Sequence, residues 1–184
     1  MPPMGRFVFL DRDGTINHDP GYVYRVEDYA LLAGVIEALA ALRDGGYRFA
    51  IVTNQSGIGR GLYTLDDFWR YQNHLLADLR RQGIEIEATY VCPHQTADGC
   101  ACRKPSPLNL FRARDELGAD LAASWVIGDH ASDVELGVRA GARSILVRTG
   151  HGEEERLRLP PGDAHPVVDD LRAAARHVLS HVAA

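Results

Sequence analysis

Short apolar runs alternate with amphipathic segments along most of this 184-residue chain. The runs predict strands at 6–10, 47–53, 84–91, 124–128, 143–148 and near 167–168. Helices are predicted at 35–43, 64–81, 106–117, 132–140 and 170–181, and the polar, proline-rich stretch 152–166 is predicted as a loop. Strands that alternate with helices form a mostly parallel sheet covered on both faces, so we predict an α/β, doubly wound, Rossmann-like fold.

The length and the charge restrict the kind of protein further. A chain of 184 residues suits a single domain over 1–184, and we expect only a minimal cap and one inserted loop, 92–105. The formal net charge of −5 argues against a nucleic-acid partner. There is no apolar run long enough to span a bilayer and no signal-peptide pattern, so we expect a cytoplasmic protein without a membrane partner. We also expect it to be a monomer.

The string Asp11-Arg12-Asp13-Gly14-Thr15 follows the first predicted strand directly. A carboxylate is a competent nucleophile towards phosphorus when a divalent cation neutralises the approaching phosphate. Magnesium prefers hard oxygen ligands such as carboxylates and main-chain carbonyls. A second carboxylate, at Asp13, suits a general acid that later acts as a base. We therefore predict phosphoryl-transfer chemistry at the carboxyl end of this strand.

Three further polar positions lie at or just after predicted strand ends, namely Thr53, Cys92 and Asp129. The carboxyl ends of parallel strands meet at one edge of a sheet, where ligands bind in folds of this class. Two polar loops, 17–22 and 54–61, leave strand ends at the same edge and suit recognition of sugar hydroxyls. We therefore expect these residues to share one site. The three consecutive glutamates at 153–155 are expected to form a solvated surface outside it.

All three cysteines fall within eleven residues, at Cys92, Cys100 and Cys102, together with His94. Three thiolates and one imidazole suit tetrahedral Zn²⁺, and four protein ligands leave no open position for catalysis. In a cytoplasmic chain, clustered cysteines favour metal binding over a disulfide. We predict a structural zinc site that fixes the residues following it.

The chain has a single lysine, Lys104, two residues after Cys102, whereas it has 19 arginines. An ammonium is a compact point charge, whereas the guanidinium of the neighbouring Arg103 grips a phosphate with two parallel hydrogen bonds. We predict that the pair Arg103-Lys104 faces an anionic substrate.

These motifs resemble those of the haloacid dehalogenase superfamily, and they occur in the family's order. The resemblance implies that Asp11 is the nucleophile, that Asp13 is the general acid and base, and that Thr53 and Lys104 stabilise the transferring phosphoryl group. It also implies that catalytic Mg²⁺ is held by Asp11, Asp13 through its main-chain carbonyl, and Asp129. The string Gly128-Asp129-His130-Ala131-Ser132-Asp133 adds Asp133 as a supporting carboxylate.

Within the superfamily the zinc pattern followed by Arg-Lys-Pro resembles two small families. The string 11–17, the pair Gly21-Tyr22 and the segment 54–61 resemble D-glycero-D-manno-heptose 1,7-bisphosphate 7-phosphatases. In that family the matching substrate-binding residues are Asp19, Pro20, Gly21, Tyr22, Thr53, Asn54, Gln55, Ser56, Arg103 and Lys104. The function implied is hydrolysis of the C7 phosphate of a heptose bisphosphate, a small phosphorylated sugar, in the biosynthesis of heptose precursors of lipopolysaccharide or related glycans.

Two alternatives stay open from the sequence. The five residues between His94 and Cys100 make a short spacing, typical of histidinol-phosphatases, and His130 stands where heptose enzymes often carry lysine. Histidinol phosphate is therefore the alternative substrate. The second alternative is a zinc-stabilised binding module without catalysis, against which the intact set of Asp11, Asp13, Lys104 and Asp129 argues.

Overall fold

The computed structural model describes residues 4–159 and 165–181. Its six strands form one parallel sheet in the order β3-β2-β1-β4-β5-β6, as expected for a doubly wound fold. The strands are β1 (Phe7–Leu10), β2 (Arg48–Asn54), β3 (Ile86–Cys92), β4 (Trp125–Gly128), β5 (Arg143–Val147) and β6 (Val167–Val168). Every strand predicted from the sequence is confirmed, although β3 begins two residues later than the alternation suggested.

Seven helices connect or flank these strands in the described part of the chain. They are α1 (Val35–Asp44), α2 (Ser56–Gly59), α3 (Leu65–Arg81), α4 (Leu108–Leu117), α5 (Ala131–Ala140), α6 (Gly152–Glu155) and α7 (Leu171–Ser180). The five longer helices are those predicted. Among the described residues, no helix combines the length and the apolar character that crossing a bilayer requires.

The two faces of the sheet bury separate apolar clusters, because successive side chains of a strand point to opposite faces. In β1, Val8 and Leu10 pack on the side of α1, α3 and α7, whereas Phe7 and Phe9 pack on the side of α4 and α5. All four side chains are fully buried. This two-sided burial explains why β1 is a continuous apolar run instead of an alternating one.

The chain order reverses between β1 and β4, which lie side by side in the centre of the sheet. Connections run to one side from β1 and to the other side from β4, so the loops after these strands diverge and leave a crevice between them. Asp11 and Asp129 are the first residues after the two strands. The topology therefore brings together two motifs that are more than a hundred residues apart in the sequence.

Local details differ from the sequence-based expectations at three places. Helix α4 begins at Leu108 after Pro107, which has no side chain that can cap it. Oγ of Ser106 accepts a long hydrogen bond of 3.4 Å from the amide of Leu108 and donates to the carbonyl of Ala101 in the preceding loop. Helix α5 begins one residue early, because the carboxylate of Asp133 accepts a hydrogen bond from the main-chain amide of His130. The stretch predicted as a loop at 152–166 contains α6, and its part at 160–164 lies outside the described residues.

Candidate active site

An ammonium group joins two of the predicted catalytic motifs. Nζ of Lys104 donates hydrogen bonds of 2.6 Å to Oδ1 of Asp11 and 2.6 Å to Oδ1 of Asp133, and its third partner is the carbonyl of Val52 at 2.9 Å. These donors and acceptors are buried. Burial lowers the pKa of Lys104, but the charges and hydrogen bonds of Asp11 and Asp133 raise it above its ordinary value, so the ammonium stays charged.

The carboxylate of Asp129 lies beneath this ion pair and is fully buried. Burial and the nearby charges of Asp11 and Asp133 raise the pKa of Asp129 to about 9. Its Oδ1 has no hydrogen-bond partner among the described residues. Asp11, Asp129 and Asp133 each place an oxygen within 4.8 Å of the others. Three carboxylates around one ammonium leave negative charge uncompensated, and this oxygen-rich set fits a hard divalent cation.

The side chain of Asp13 lies outside that cluster and is held by its own hydrogen bonds. Arg12 donates to both carboxylate oxygens at 2.8 Å, Asn17 donates at 2.9 Å, and Gln55 donates at 2.8 Å. From the sequence, Arg12 was only a spacer in the motif, and Asn17 was not predicted to be a neighbour of Asp13. An arginine next to two aspartates was the available signal, although exposed pairs of this kind are common.

The segment after β2 contacts the site mainly through its amide side chains. Nε2 of Gln55 donates to Oγ1 of Thr53 at 2.9 Å as well as to Asp13, and its Oε1 accepts from the hydroxyl of Tyr63 at 2.5 Å. Burial raises the pKa of Tyr63 to about 12, so this hydroxyl stays protonated. Asn54 binds the main chain of Lys104, accepting from its amide at 3.0 Å and donating to its carbonyl at 3.4 Å.

A cavity of about 400 Å³ opens above these groups. Nearly all residues predicted to contact substrate line it: Asp19, Gly21, Tyr22, Thr53, Asn54, Gln55, Ser56, Arg103 and Lys104. Asp11 and Asp13 line it too, whereas the predicted contact residue Pro20 is exposed and does not. Four further residues line the cavity although the sequence did not predict them as site residues: Tyr63, His130, Ser132 and His151.

Residues beyond 150, to which no role was given, form part of the cavity rim. Nε2 of His151 lies 3.3 Å from Oδ2 of Asp19, and the ring of His151 lies 5.1 Å from that of His130. Glu155 is buried, and its carboxylate accepts a hydrogen bond of 3.0 Å from the main-chain amide of Ala131. The expectation of a solvated glutamate run is therefore wrong for Glu155, because its carboxylate caps the start of α5.

The three cysteines and His94 form a second cluster, next to the cavity. Sγ of Cys92 lies 3.5 Å from Sγ of Cys100, and Nδ1 of His94 lies 3.3 Å from Sγ of Cys102. The remaining close separations, Cys92 to His94 and Cys100 to Cys102, are 3.7 Å. Ligand atoms around a tetrahedral zinc ion are roughly 3.5–3.8 Å apart, given Zn–S bonds of about 2.3 Å, so this donor set fits zinc.

Comparison with known proteins agrees with this geometry. A family model described as HAD-hydrolase-like matches residues 101–174. The D-glycero-beta-D-manno-heptose-1,7-bisphosphate 7-phosphatase of Yersinia pestis is 36% identical over 184 residues, which cover 96% of this chain and 90% of that protein. The protein of the same name from Escherichia coli K12 is 40% identical over 151 residues, covering 78% of this chain and 79% of the relative.

Solved structures show the same relationship. The D,D-heptose 1,7-bisphosphate phosphatase from B. bronchiseptica, complexed with magnesium and phosphate, superposes with a TM-score of 0.88 at 31% identity and covers 96% of this chain and 99% of its own. The corresponding enzyme from Burkholderia thailandensis gives a TM-score of 0.72 at 32% identity, covering 95% and 99%. The chain therefore belongs to the D-glycero-D-manno-heptose 1,7-bisphosphate 7-phosphatase family of the haloacid dehalogenase superfamily.

Proposed function

We propose that this protein is a magnesium-dependent phosphatase that removes the C7 phosphate of D-glycero-D-manno-heptose 1,7-bisphosphate through a phospho-aspartate at Asp11. The observation that carries the proposal is the buried contact of Lys104 with Asp11 and Asp133 at the cavity floor. Relatives that cover most of the chain bear this activity in their names. A related structure holds magnesium and phosphate.

Asp11, Asp129 and the main-chain carbonyl of Asp13 would hold Mg²⁺, with Asp133 as a supporting carboxylate. The partnerless Oδ1 of the buried Asp129 supports this assignment, because a buried carboxylate oxygen requires a compensating charge or hydrogen bond. When bound, Mg²⁺ would neutralise the negative charge of the phosphoryl oxygens and of the attacking carboxylate.

The chain's own residues supply the remaining chemistry. Lys104 occupies Oδ1 of Asp11, which leaves Oδ2 free to attack phosphorus in line. As the Oδ2–P bond forms and the bond from phosphorus to the C7 oxygen breaks, Asp13 gives a proton to the leaving alkoxide. Asp13 then takes a proton from water, which attacks the phosphorus, releases inorganic phosphate and restores Asp11. Lys104 and the hydroxyl of Thr53 stabilise the negative charge in both steps.

We assign substrate recognition to two segments that line the cavity. Asp19, Gly21 and Tyr22 on one loop and Thr53 to Ser56 at the end of β2 present donors and acceptors for sugar hydroxyls. The guanidinium of Arg103 suits the second phosphate or another polar group of the substrate. Asn54 and Gln55 already bind protein groups, so we assign them the secondary task of holding the wall in place.

The zinc loop and the organisation of the chain belong to the same proposal. Cys92, His94, Cys100 and Cys102 would hold a structural Zn²⁺ that fixes the loop 92–105 ahead of Arg103 and Lys104. One phosphatase domain over 1–184, acting as a monomer, completes the proposal. Clustered cysteines that bind a metal suit a reducing compartment, which supports a cytoplasmic location.

The test is phosphate release in the presence of magnesium from heptose 1,7-bisphosphate and, in parallel, from histidinol phosphate. We expect a preference of about 100-fold or more in kcat/KM for the bisphosphate, roughly 2.7 kcal/mol in transition-state binding. The reverse preference would move the assignment to histidinol phosphate. Asp11→Asn should abolish turnover of both, whereas Asp66→Asn, a change at an exposed position on α3, should not alter it. An active Asp11→Asn enzyme would refute the phospho-aspartate mechanism.

A further inference from the structure

Arg12 is fully buried and meets the carboxylate of Asp13 with two parallel hydrogen bonds. Its Nε donates to Oδ1 and its Nη2 donates to Oδ2, each at 2.8 Å. A guanidinium and a carboxylate paired in this way are fixed in a common plane, so the pair restricts rotation as well as translation. The rotamer of Asp13 is therefore defined by the side chain that precedes it in the sequence.

The guanidinium of Arg12 is itself immobilised from several sides. Nη2 also donates to the carbonyl of Val23 at 2.9 Å, and the guanidinium carbon lies 4.7 Å from the ring centre of Tyr71 and 5.2 Å from that of Phe68. Arg12 is absent from the cavity wall, whereas Asp13 lines it. Direct contact with substrate is thus excluded for Arg12. Among the residues that line the cavity, it binds Asp13 with two hydrogen bonds of 2.8 Å and Oε1 of Gln55 with a longer one of 3.4 Å.

Two neutral donors also reach Asp13, from other segments of the chain. Asn17 donates to Oδ1 at 2.9 Å and Gln55 donates to Oδ2 at 2.8 Å. Tyr63 fixes the orientation of the Gln55 amide through its hydrogen bond to Oε1. Arg12 provides two of the four hydrogen bonds and the only charged donor among them.

We propose that Arg12 is a positioning residue that holds the carboxylate of Asp13 in the orientation from which it protonates the leaving group and activates water. This inference rests on the proposed function, because it assumes that Asp13 is the general acid and base. A misplacement of about 1 Å in a catalytic group is enough to cost on the order of 100-fold in rate. Loss of the hydrogen bonds from Arg12 to Asp13 should therefore lower kcat more than it raises KM.

A purely structural role would have a different signature. Burial of a charged group is costly in desolvation, and apolar replacements of similar volume are often neutral or stabilising. A core that required only packing at this place would tolerate Arg12→Met without a specific effect on chemistry. The decisive readout is therefore which chemical step is slowed, not whether the variant is less stable.

The experiment compares an alkyl phosphate with p-nitrophenyl phosphate in the full-length, magnesium-loaded protein. The p-nitrophenolate ion leaves without a proton, so phosphorylation of Asp11 by this substrate does not need Asp13 as an acid, whereas hydrolysis of the phospho-aspartate still needs it as a base. For Arg12→Lys and Arg12→Met we expect a p-nitrophenol burst of about one equivalent at a rate close to that of wild type, followed by slow turnover. With the alkyl phosphate, kcat should fall by about 100-fold at a KM within roughly threefold of wild type.

Asp13→Asn should give the same pattern, and Arg12→Met combined with Asp13→Asn should be no slower than Asp13→Asn alone. The matched control is Arg80→Met, at an exposed arginine of α3 whose partner is Glu85. If Arg12→Met does not fold, Arg12→Lys carries the test, and Tyr63→Phe should reproduce the pattern weakly by loosening Gln55. Burst and turnover falling together, or a double variant slower than Asp13→Asn, would overturn the proposal. Full activity of Asp13→Asn would instead refute the proposed function on which it rests.

Discussion

The main-chain amide of His151 donates a hydrogen bond of 2.9 Å to Oδ2 of Asp129, so the segment after β5 closes onto the carboxylate that follows β4. The adjacent Thr149 donates from Oγ1 to the carbonyl of Gly14 at 2.7 Å. Two glycines, Gly14 and Gly150, face Asp129 across this contact, and both have positive φ angles, of 78° and 57°. A segment outside the recognised motifs therefore encloses the proposed magnesium site.

The close approach at Gly150 yields the first prediction. A Cβ added there would lie 2.2 Å from Oδ2 of Asp129 and 2.6 Å from Cα of Gly14, so Gly150→Ala must displace the buried carboxylate or the motif loop. We expect kcat/KM to fall by about 100-fold, with a higher magnesium concentration needed for half-maximal activity. Steady-state assays over a magnesium titration measure both quantities.

The control for that variant is Gly141→Ala, at the end of α5. Gly141 has a φ of 77°, and a Cβ at that residue would meet nothing within 4 Å. Its replacement should cost about 1–2 kcal/mol of stability through backbone strain and leave kcat/KM unchanged. Equal losses of activity in both variants would show that strain, and not contact with Asp129, is the cause.

Asn54 leads to the second prediction, because its side chain holds the main chain of Lys104 at both the amide and the carbonyl. Asn54→Leu removes both hydrogen bonds at nearly constant volume, and it should lower kcat about 10- to 100-fold as the ammonium loses its fixed place between Asp11 and Asp133. A kinetic comparison with the exposed Asn73→Leu variant of α3 checks this. An increase in KM alone would favour direct substrate binding by Asn54.

Removal of zinc is the third prediction. The loop 92–105 has little regular structure, so without a metal its conformation rests on a few hydrogen bonds such as Ser106 to Ala101. Chelation should lower the melting temperature by roughly 5–10 °C, about 2–3 kcal/mol for a chain of this size, and should reduce kcat because Lys104 follows Cys102 closely. Zinc, but not magnesium, should restore both. Purified protein lacking zinc, with all three thiols freely reactive, would contradict the site.

The fourth prediction concerns stability at mildly acidic pH. The ring of His177 packs against Trp125 and lies 4.4 Å from the ring of His181, and burial together with His181 lowers the pKa of His177. With a folded-state pKa below the unfolded value near 6.5, the unfolded chain binds more protons, so this site favours unfolding as the pH falls through about 6.5.

His177→Gln should therefore lose less stability than wild type between pH 8 and pH 5.5, as measured by thermal or urea unfolding. The matched control is His18→Gln, a change at an exposed histidine. Identical slopes for wild type and His177→Gln would show that His177 does not contribute to the pH dependence.

Part of the site follows from the sequence because parallel sheets place strand ends at one edge. The apolar runs located the strands, and the residues at or just after their ends, Asp11, Thr53 and Asp129, could be assigned to one crevice without coordinates. The proposed zinc cluster was equally accessible, since ligand chemistry and short spacing restrict which residues bind one ion. Asp11 and Asp129 are more than a hundred residues apart, and the family resemblance implied them as ligands of one magnesium ion. The helix predicted at 64–81 is observed at Leu65–Arg81, because its start depends on the local capping box of Thr64 and Asp67.

The sequence by itself determined the fold class, the order of the motifs and the donor set of the proposed zinc site, because these depend on periodicity, local spacing and ligand chemistry. The proposed magnesium ligands were implied by the family resemblance. Only the tertiary structure decided that Arg12 clamps Asp13, that Asn54 holds the main chain of Lys104 and that His151 closes over Asp129. The latter two contacts join distant segments, and the first requires knowing that Arg12 is buried. Burial and long-range contact arise from packing on the whole sheet, which no local pattern specifies.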